Sequence, residues 1–357
     1  MVSVSTLALR FSPLLLWLGT GGRVADALSL SGNHQNSNNP TTTNNVPQDS
    51  PVLSRRDWLA TTAAVSTVLS APQQANSAQQ PIAVLGASGR TGALCVTACL
   101  SRGFPVKALT RTGEWISPMD DGAPAENDLL TVEACDIKDP TALANSLKGC
   151  RGVIYAASAS KKGGNAAAID NVGVVQAGNI CLAEKVPRYI VISSTSTTRP
   201  KSMGYIFTNV MGGIMDQKRL GEEGVINAYQ TAADATSFTI VRPGGLEEPK
   251  KNEVLGPRAL EITQGDVLAG IVSRADLAEV AVELAASTAP NLRNTALELY
   301  YTDSTVPVDG KFKAMMNNGV VPRLHGQTYA ELLQGIEPYV DYYLADNLGA
   351  GARVIGR

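Results

Sequence analysis

The sequence predicts an α/β fold in which helices cover both faces of a doubly wound parallel sheet. From residue 82 onward, short apolar runs alternate with longer amphipathic segments. Strict alternation of this kind produces parallel strands joined by right-handed crossovers. The first run, Ile82–Leu85, leads into three glycines and then into a helix-like segment, Ala93–Arg102. In such a sheet a ligand binds beyond the carboxyl ends of the strands, so functional residues are expected there.

The predicted strands are short and rich in apolar and β-branched residues, as strands buried between two layers of helices should be. After the first strand they are Pro105–Thr110, Leu129–Ala134, Gly152–Ala157, Arg188–Ser193, Phe238–Arg242 and Leu297–Tyr301.

The predicted helices carry start signals. Asp139 precedes Pro140, which is typical of a capping residue followed by the first helical position. Ser273 and Asp276 have the spacing of a capping box. After the first helix we expect a short one from Pro140, then Asp170–Lys185, Ile214–Tyr229, Ser273–Ala286 and Tyr329–Leu344.

The residues before the first strand have the character of targeting segments. Residues 1–27 contain an early Arg10, an apolar run Phe11–Leu18 and a small-x-small end at Ala25-Asp26-Ala27, which predicts a signal peptide. The run is too short to span a bilayer. Residues 28–53 are rich in Asn, Ser and Thr and predict a disordered transit segment.

A second targeting pattern lies in residues 54–78, where Ser54-Arg55-Arg56 precedes a mild apolar stretch, Leu59–Ala71. It resembles a twin-arginine export signal. In series, the three segments predict delivery to a plastid and on to the thylakoid lumen; the alternative is one long plastid transit region with a chance arginine pair. Residues 79–302 then form the α/β domain, and residues 303–357 a C-terminal helical extension.

Composition excludes several function classes. The 30 basic and 32 acidic residues give no basic excess, which argues against a nucleic-acid partner. Beyond the leader no run of 18 apolar residues predicts a membrane span. His34 lies in the leader, so His325 alone remains, and a histidine-built metal site or a Ser-His-Asp centre is not expected. No Cys-x2-Cys occurs, and the cysteines are expected to be small buried residues: Cys95, Cys99, Cys135, Cys150 and Cys181.

The glycine-rich turn after the first strand predicts a dinucleotide site. Gly86 permits the tight turn, Gly89 lets the backbone approach a pyrophosphate, and Gly92 lets the helix pack closely. The helix start supplies free N–H groups and a positive dipole end. A glycine-rich turn without function is the alternative. The expected contacts in this loop are Gly86, Ala87, Ser88, Gly89, Arg90, Thr91 and Gly92.

The end of the second strand indicates which nucleotide binds. An acidic residue there would bind the ribose 2′-hydroxyl of NAD, but this chain has Thr110-Arg111. Together with Arg90, Arg111 could grip a 2′-phosphate through charge-assisted contacts. NADP(H) is therefore the predicted cofactor; the alternative is that Arg111 is a solvated strand end.

The next two strands end in further candidate contacts. Asp136 can accept a hydrogen bond from the adenine amino group, while Ile137 packs on the ring. Ala156 and Ala157 are small enough for the backbone to lie against a ribose, and Ser158 follows them.

Several motifs in the same order resemble the atypical short-chain dehydrogenase/reductases, in particular the NmrA-like NAD(P)-binding branch. The resemblance covers about residues 81–300 and implies a Rossmann-type fold. The matching motifs are the glycine turn, Arg111, Cys135-Asp136-Ile137, Asp170-Asn171-Val172-Gly173, Val186-Pro187-Arg188, Ser193-Ser194, Lys218-Arg219, Arg242-Pro243-Gly244-Gly245 and Ser273-Arg274-Ala275-Asp276.

The resemblance also implies catalytic positions. Members of this family commonly use Ser, Tyr and Lys, with the tyrosine four residues before the lysine. Ser193 or Ser194 matches the serine and Lys218 the lysine, but Ile214 stands at the tyrosine position. Tyr205 is the nearest upstream tyrosine; it could enter the site or be an ordinary loop aromatic. Lys218 is also expected to hold the nicotinamide ribose, and Arg242 and Pro243 to line the nicotinamide pocket.

Two functions follow from these residues. The first is an NADPH-dependent reductase of a small carbonyl, quinone or enone compound. The second is a non-catalytic NADP-binding redox sensor or assembly factor that presents a surface to a protein partner, which the missing tyrosine favours. Isomerase or lyase chemistry ranks third. In the C-terminal extension, an apolar stripe from Tyr329 to Tyr343 could roof a substrate pocket or pack against the domain.

Overall fold

The computed structural model describes residues 80–116, 127–159, 164–210, 212–231, 235–247, 253–308, 310–317, 319, 321–343 and 352–354. The three predicted leader segments, residues 1–78, lie outside the described residues. Within the described residues, no helix is both long enough and apolar enough to cross a bilayer.

The strands lie close to the positions that the apolar runs predict, and several short ones are added. They are β1 Ile82–Leu85, β2 Val106–Thr110, β3 Leu130–Ala134, β4 Gly152–Tyr155, β5 Arg188–Ile192, β6 Ser237–Pro243, β7 Gly245–Glu247, β8 Leu260–Thr263, β9 Leu268–Ala269, β10 Ile271–Ser273, β11 Thr295–Tyr301, β12 Val306–Pro307, β13 Arg323–Leu324, β14 Val340–Tyr343 and β15 Ala352–Val354.

The central sheet has the order β13-β8-β11-β6-β5-β4-β1-β2-β3. Strands β3 to β11 in this order pair in parallel, while β8 and β13 are antiparallel additions at one edge. On one side of β1 lie β2 and β3, and on its other side lie β4, β5 and β6 in chain order. The predicted doubly wound α/β sheet of Rossmann type is confirmed, with its switch point between β1 and β4.

Helices connect these strands and bury apolar side chains on both faces of the sheet. They are α1 Arg90–Ser101, α2 Pro140–Leu147, a π-helix Ala167–Gly173, α3 Val174–Ala183, α4 Met203–Asn209, α5 Ile214–Tyr229, α6 Arg274–Ala286, α7 Gly310–Asn317 and α8 Tyr329–Gln334. Asp139 and Ser273 cap α2 and α6 as predicted. The helix predicted from Asp170 differs, since it opens with the π-helix three residues earlier.

All five cysteines are free and buried, which confirms the structural interpretation of these residues. Cys95 and Cys99 lie on the inner face of α1. Burial raises the pKa of the Cys99 thiol to about 12 and that of Cys150 to about 11. Thiols that resist ionisation in this way are poor nucleophiles.

Within the C-terminal extension, the helix predicted over Tyr329–Leu344 is formed only in part. Helix α8 ends at Gln334, and the chain re-forms as β14, so the prediction of one helix to Leu344 is wrong. Gly335 follows the helix, and Pro338 cannot continue one. Leu332, Leu333 and Ile336 belong to the main hydrophobic core. The same core contains apolar side chains from the sheet and from α6. For these three residues the stripe packs against the domain.

A buried ion cluster is formed by side chains from four elements, β6, α5, β11 and β14. The Arg242 guanidinium on β6 donates to Glu222 of α5 at 2.7 Å, to Asp341 of β14 at 2.5 Å and to Glu298 of β11 at 3.4 Å. These side chains are almost fully enclosed. Three carboxyl groups thus share one guanidinium. Burial raises the pKa of Glu298 to about 8, so its carboxyl group is protonated at neutral pH.

We predict that Glu298 makes stability depend on pH. In the unfolded chain its carboxyl ionises above its ordinary pKa of 4.5, whereas in the folded protein it stays protonated up to about 8. The free energy of unfolding should therefore fall between these values as pH rises, by on the order of a few kcal/mol. Glu298→Gln, which mimics the protonated side chain, should reduce this slope, and Glu222, whose pKa burial also raises, keeps the remainder.

Urea unfolding at pH 5, pH 6.5 and pH 8 would measure the effect. The exposed Glu253 supplies a matched control, since Glu253→Gln should keep the wild-type pH dependence. Equal slopes for wild type and Glu298→Gln would contradict the assignment.

Candidate functional site

The turn from β1 into α1 is held by close backbone contacts at the switch point of the sheet. Gly86 has a φ of +81°, and a Cβ there would lie 2.7 Å from the Cα of Ala157. A Cβ at Gly92 would lie 2.2 Å from the carbonyl oxygen of Gly86. At Gly89 the nearest atom would be the same oxygen, 3.1 Å away. The sequence therefore needs glycine at 86 for its conformation and at 92 for the helix to approach the turn.

Helix α1 presents backbone donors at this turn. Gly89 stands at the N-cap of α1 and makes no side-chain cap to the first turn of the helix. Ser88, Gly89 and Arg90 are exposed, and Thr91 is half-buried. A helix start with exposed residues, no side-chain cap and a positive dipole end suits an anionic group such as a diphosphate.

Trp115 fastens the segment after β2 to the glycine turn. Its indole Nε1 donates to the carbonyl oxygen of Ala87 at 3.1 Å, and its side chain is buried. Ala87 in turn donates its N–H to the Leu109 carbonyl at 3.2 Å. Sequence reasoning missed Trp115; a lone tryptophan a few residues after a strand end was the available signal.

The ends of β2 and β3 lie side by side because the two strands are parallel neighbours. Arg111 directly follows β2 and is exposed, and Asp136 follows β3 and is also exposed. One Asp136 oxygen accepts from the Lys138 N–H at 3.0 Å. Ile137 is half-buried. Arg111 and Asp136 are thus accessible at the same edge of the sheet as the glycine turn.

The backbone after β4 borders the same turn. Ala156 donates its N–H to the Leu85 carbonyl at 3.0 Å, and Ala157 lies against Gly86. Ala156 and Ala157 are half-buried, and Ser158 is exposed. The small side chains leave this backbone accessible beside the start of α1.

Lys218 is held by a carboxylate. Its Nζ lies 2.9 Å from Oδ1 of Asp170, which sits in the π-helix and is fully buried. The same carboxylate accepts from the Ser158 hydroxyl at 2.7 Å and from the Ala159 N–H at 2.9 Å. Lys218 is therefore linked through Asp170 to the chain that follows β4. Asp170 is a partner that sequence reasoning did not identify.

Ser193 and Tyr205 are both engaged by carboxylates. The Ser193 hydroxyl follows β5, is buried, and donates to Glu222 of the ion cluster. The Tyr205 hydroxyl, on α4, donates to Asp216. Burial and then this carboxylate raise the pKa of Tyr205. Ser194 is half-buried and its hydroxyl donates to the Thr195 carbonyl at 3.2 Å.

Arg242, which is predicted to line the nicotinamide pocket, has its side chain inside the ion cluster. Its guanidinium has no accessible surface and is enclosed by the ion cluster. Burial of a charge requires such partners, so they take up the donors that a nucleotide would need. Pro243 ends β6 and is buried, and its carbonyl accepts from the Thr195 N–H at 3.0 Å.

The structure thus brings most of the predicted contacts to one edge of the sheet. Lys218, which pairs with Asp170, and Glu222, which accepts from Ser193, are one turn apart on α5. They therefore lie on the same face of this helix. Tyr205 contacts a different carboxylate from the one that holds Lys218. Among the described residues no cluster of three or more His, Cys, Asp or Glu could hold a metal ion.

Comparison with known proteins identifies relatives of this fold. A family model described as NAD(P)H-binding matches residues 86–288. An uncharacterized chloroplastic protein of Arabidopsis thaliana is 30% identical over 211 residues, which is 56% of this chain and 70% of that protein. The chloroplastic protein TIC 62 of Oryza sativa is 24% identical over 55% of this chain, and the match spans only 41% of TIC 62.

Solved structures include similar chains at low identity. The oxidoreductase ylbE from Lactococcus lactis is 16% identical, with a TM-score of 0.49, over 67% of this chain and 97% of that one.

We predict that Gly92→Ala disrupts the turn. Its methyl group would lie 2.2 Å from the Gly86 oxygen, so α1 must move away. The free energy of unfolding should fall by about 1–3 kcal/mol, as for other overpacked sites. Affinity for NADPH should be lost because the helix N–H groups move. Calorimetry and urea unfolding would measure both.

Gly310 offers the matched control. It starts α7, and a Cβ there would meet nothing within 4 Å. Gly310→Ala should leave stability and NADPH affinity unchanged or slightly improve stability. NADPH binding by Gly92→Ala at wild-type affinity would contradict the geometry given to the turn.

Proposed function

The chain belongs to the NAD(P)H-binding family, and on that basis we propose that it is an NADP(H)-dependent reductase of a small carbonyl, quinone or enone compound. The observation that carries the proposal is the convergence of the uncapped α1 start, the backbone after β4 and Lys218 at one edge of the sheet. Bound NADPH would supply a hydride. The protein would hold the diphosphate at α1 and the nicotinamide ribose at Lys218.

The preference for NADP over NAD rests on Arg111. It is exposed at the end of β2, where an acidic residue would select NAD. A guanidinium at this place can bind a 2′-phosphate through two parallel hydrogen bonds. Arg90, exposed at the start of α1, would approach the adenosine half of the nucleotide from the glycine turn.

The reduction does not depend on a tyrosine in this proposal. Ile214 occupies the position that the family commonly gives to that residue, and Tyr205 is bound to Asp216. The proton that follows the hydride onto the substrate comes from water. Quinones and enones suit such a site because, unlike a simple ketone, they accept hydride without first being protonated by a side chain.

A non-catalytic NADP-binding sensor or assembly factor is the second candidate. Three observations favour it: Ile214 replaces the tyrosine, the Ser193 hydroxyl is committed to Glu222, and the Tyr205 hydroxyl is committed to Asp216. In this function the nucleotide would alter a surface that a protein partner recognises.

We place the protein in a plastid, and within it in the thylakoid lumen. The chloroplastic relatives support the plastid, and the Arg55-Arg56 pair supports the lumen. Fractionation of isolated plastids measures this directly, and recovery in the stroma would contradict the lumen.

Consumption of NADPH by the full chain, across a panel of quinones, enones and aldehydes, tests the enzyme assignment. We expect turnover with at least one class. Lys218→Ala should reduce it strongly, and Tyr205→Phe should leave it largely intact. Binding of NADPH without turnover of any substrate would reject the reductase and favour the sensor.

We predict that Arg111→Asp changes nucleotide selectivity. NADPH affinity should fall about tenfold or more, because two charge-assisted hydrogen bonds are replaced by repulsion. NADH affinity should change less than about twofold, since NADH has no phosphate there. Fluorescence titration with both nucleotides measures the ratio.

Arg258→Asp is the matched charge reversal, because Arg258 is an exposed arginine remote from the glycine turn in the sequence. It should leave both affinities unchanged. Equal losses of NADPH and NADH affinity in Arg111→Asp would defeat the assignment of NADP.

A further inference from the structure

We propose that Asp170 is a positioning residue, which fixes the Lys218 ammonium group and the backbone after β4 in a single arrangement for a bound dinucleotide. The proposal rests on the proposed nucleotide site and adds to it a residue that contacts neither the nucleotide nor the substrate.

The contacts of Asp170 join two separate parts of the site. Oδ1 accepts from the Ser158 hydroxyl at 2.7 Å and pairs with Lys218 Nζ at 2.9 Å. Oδ2 accepts from the Ala159 N–H at 2.9 Å. Ser158 and Ala159 follow β4, and Lys218 lies on α5. One carboxylate therefore ties a loop to a helix at the edge of the sheet where nucleotide is expected.

The burial of these groups differs in a way that suits positioning. The Asp170 side chain is 0% exposed, whereas the Lys218 side chain is 12% exposed. The carboxylate is therefore closed to ligands, and part of the Lys218 side chain remains accessible beside it. A lysine side chain has many rotamers, and a fixed partner removes most of them before a ligand arrives.

The local backbone is built to bring the carboxylate to the lysine. Asp170 lies within a π-helix, a rare distortion that is often found at functional sites. Gly221 of α5 lies against it, since a Cβ there would be 2.3 Å from the Asp170 carbonyl oxygen. The absence of a side chain at 221 lets α5 approach closely, and Lys218 is one turn earlier on the same helix.

A double-mutant cycle in NADPH affinity tests whether Asp170 acts through Lys218. The variants are Asp170→Asn, Lys218→Met and the combination, each in the full chain, with NADPH binding measured by calorimetry. Asp170→Asn should raise the NADPH Kd about tenfold when Lys218 is present. It should raise the Kd by a clearly smaller factor, less than about threefold, in the Lys218→Met background, where only the contacts to Ser158 and Ala159 remain to be changed.

The same factor in both backgrounds would overturn the proposal, because a residue that only stabilises the fold affects both alike. An unchanged Kd in Asp170→Asn would overturn it as well. Asn171→Ala is the matched control, since Asn171 is the next residue of the π-helix and donates to Gln217 at 3.2 Å. A Kd increase in this control equal to that of Asp170→Asn would also count against Asp170.

Failure of this proposal differs from failure of the proposed function. Wild-type protein that does not bind NADPH would overturn both, whereas wild-type binding with equal factors in the cycle overturns only the role of Asp170.

Circular dichroism checks folding of each variant. If Asp170→Asn does not fold, nitrogen NMR of the lysine side chains in the wild-type NADPH complex replaces it. Coupling between Lys218 Nζ and the Asp170 carboxyl group supports the proposal, and its absence overturns it.

Discussion

The contact between Gly92 and the carbonyl oxygen of Gly86 is the constraint on which the candidate site depends. It allows α1 to start directly against the turn from β1, at the point where the sheet order reverses. Because the helix starts there without a side-chain cap, its N–H groups and dipole end are available to an anion. The indole of Trp115 and the backbone at Ala157 support this turn from the two neighbouring strands.

Helix α5 connects the site to the interior. Lys218 reaches the buried Asp170 on the side of β4, and Glu222, one turn later, binds Arg242 and the Ser193 hydroxyl. Gly221 lies between them and permits the close approach to the π-helix. Breaking either ionic contact would leave a buried charge without its partner, which is far more costly than losing a surface pair. The orientation of α5, and with it of Lys218, is therefore strongly specified.

The fold could be predicted from the sequence because its signals are local. Apolar runs located the strands of the parallel sheet, and Asp139 and Ser273 marked helix starts through contacts within three residues. The C-terminal helix was mispredicted because periodicity was given more weight than Gly335 and Pro338. The glycine turn was recognisable because its signals also lie within a few residues. Its contact with Trp115 was not, because Trp115 is 28 residues from Ala87 in the sequence.

The polar partners in the site could not be predicted, because they are set by tertiary contacts. Asp170 and Lys218 are distant in sequence, and nothing in their neighbourhoods indicates that they pair. Arg242 shows the same limit: a motif suggested a cofactor contact, and only the structure places its guanidinium among three acidic side chains from other elements.

A crystal structure of the full chain with NADPH tests the central claim most directly. The account predicts the diphosphate within hydrogen-bonding distance of the N–H groups at the start of α1, with the nicotinamide ribose beside Lys218. A nucleotide bound away from the Gly86–Gly92 turn, or crystals grown in saturating NADPH that contain none, would contradict it.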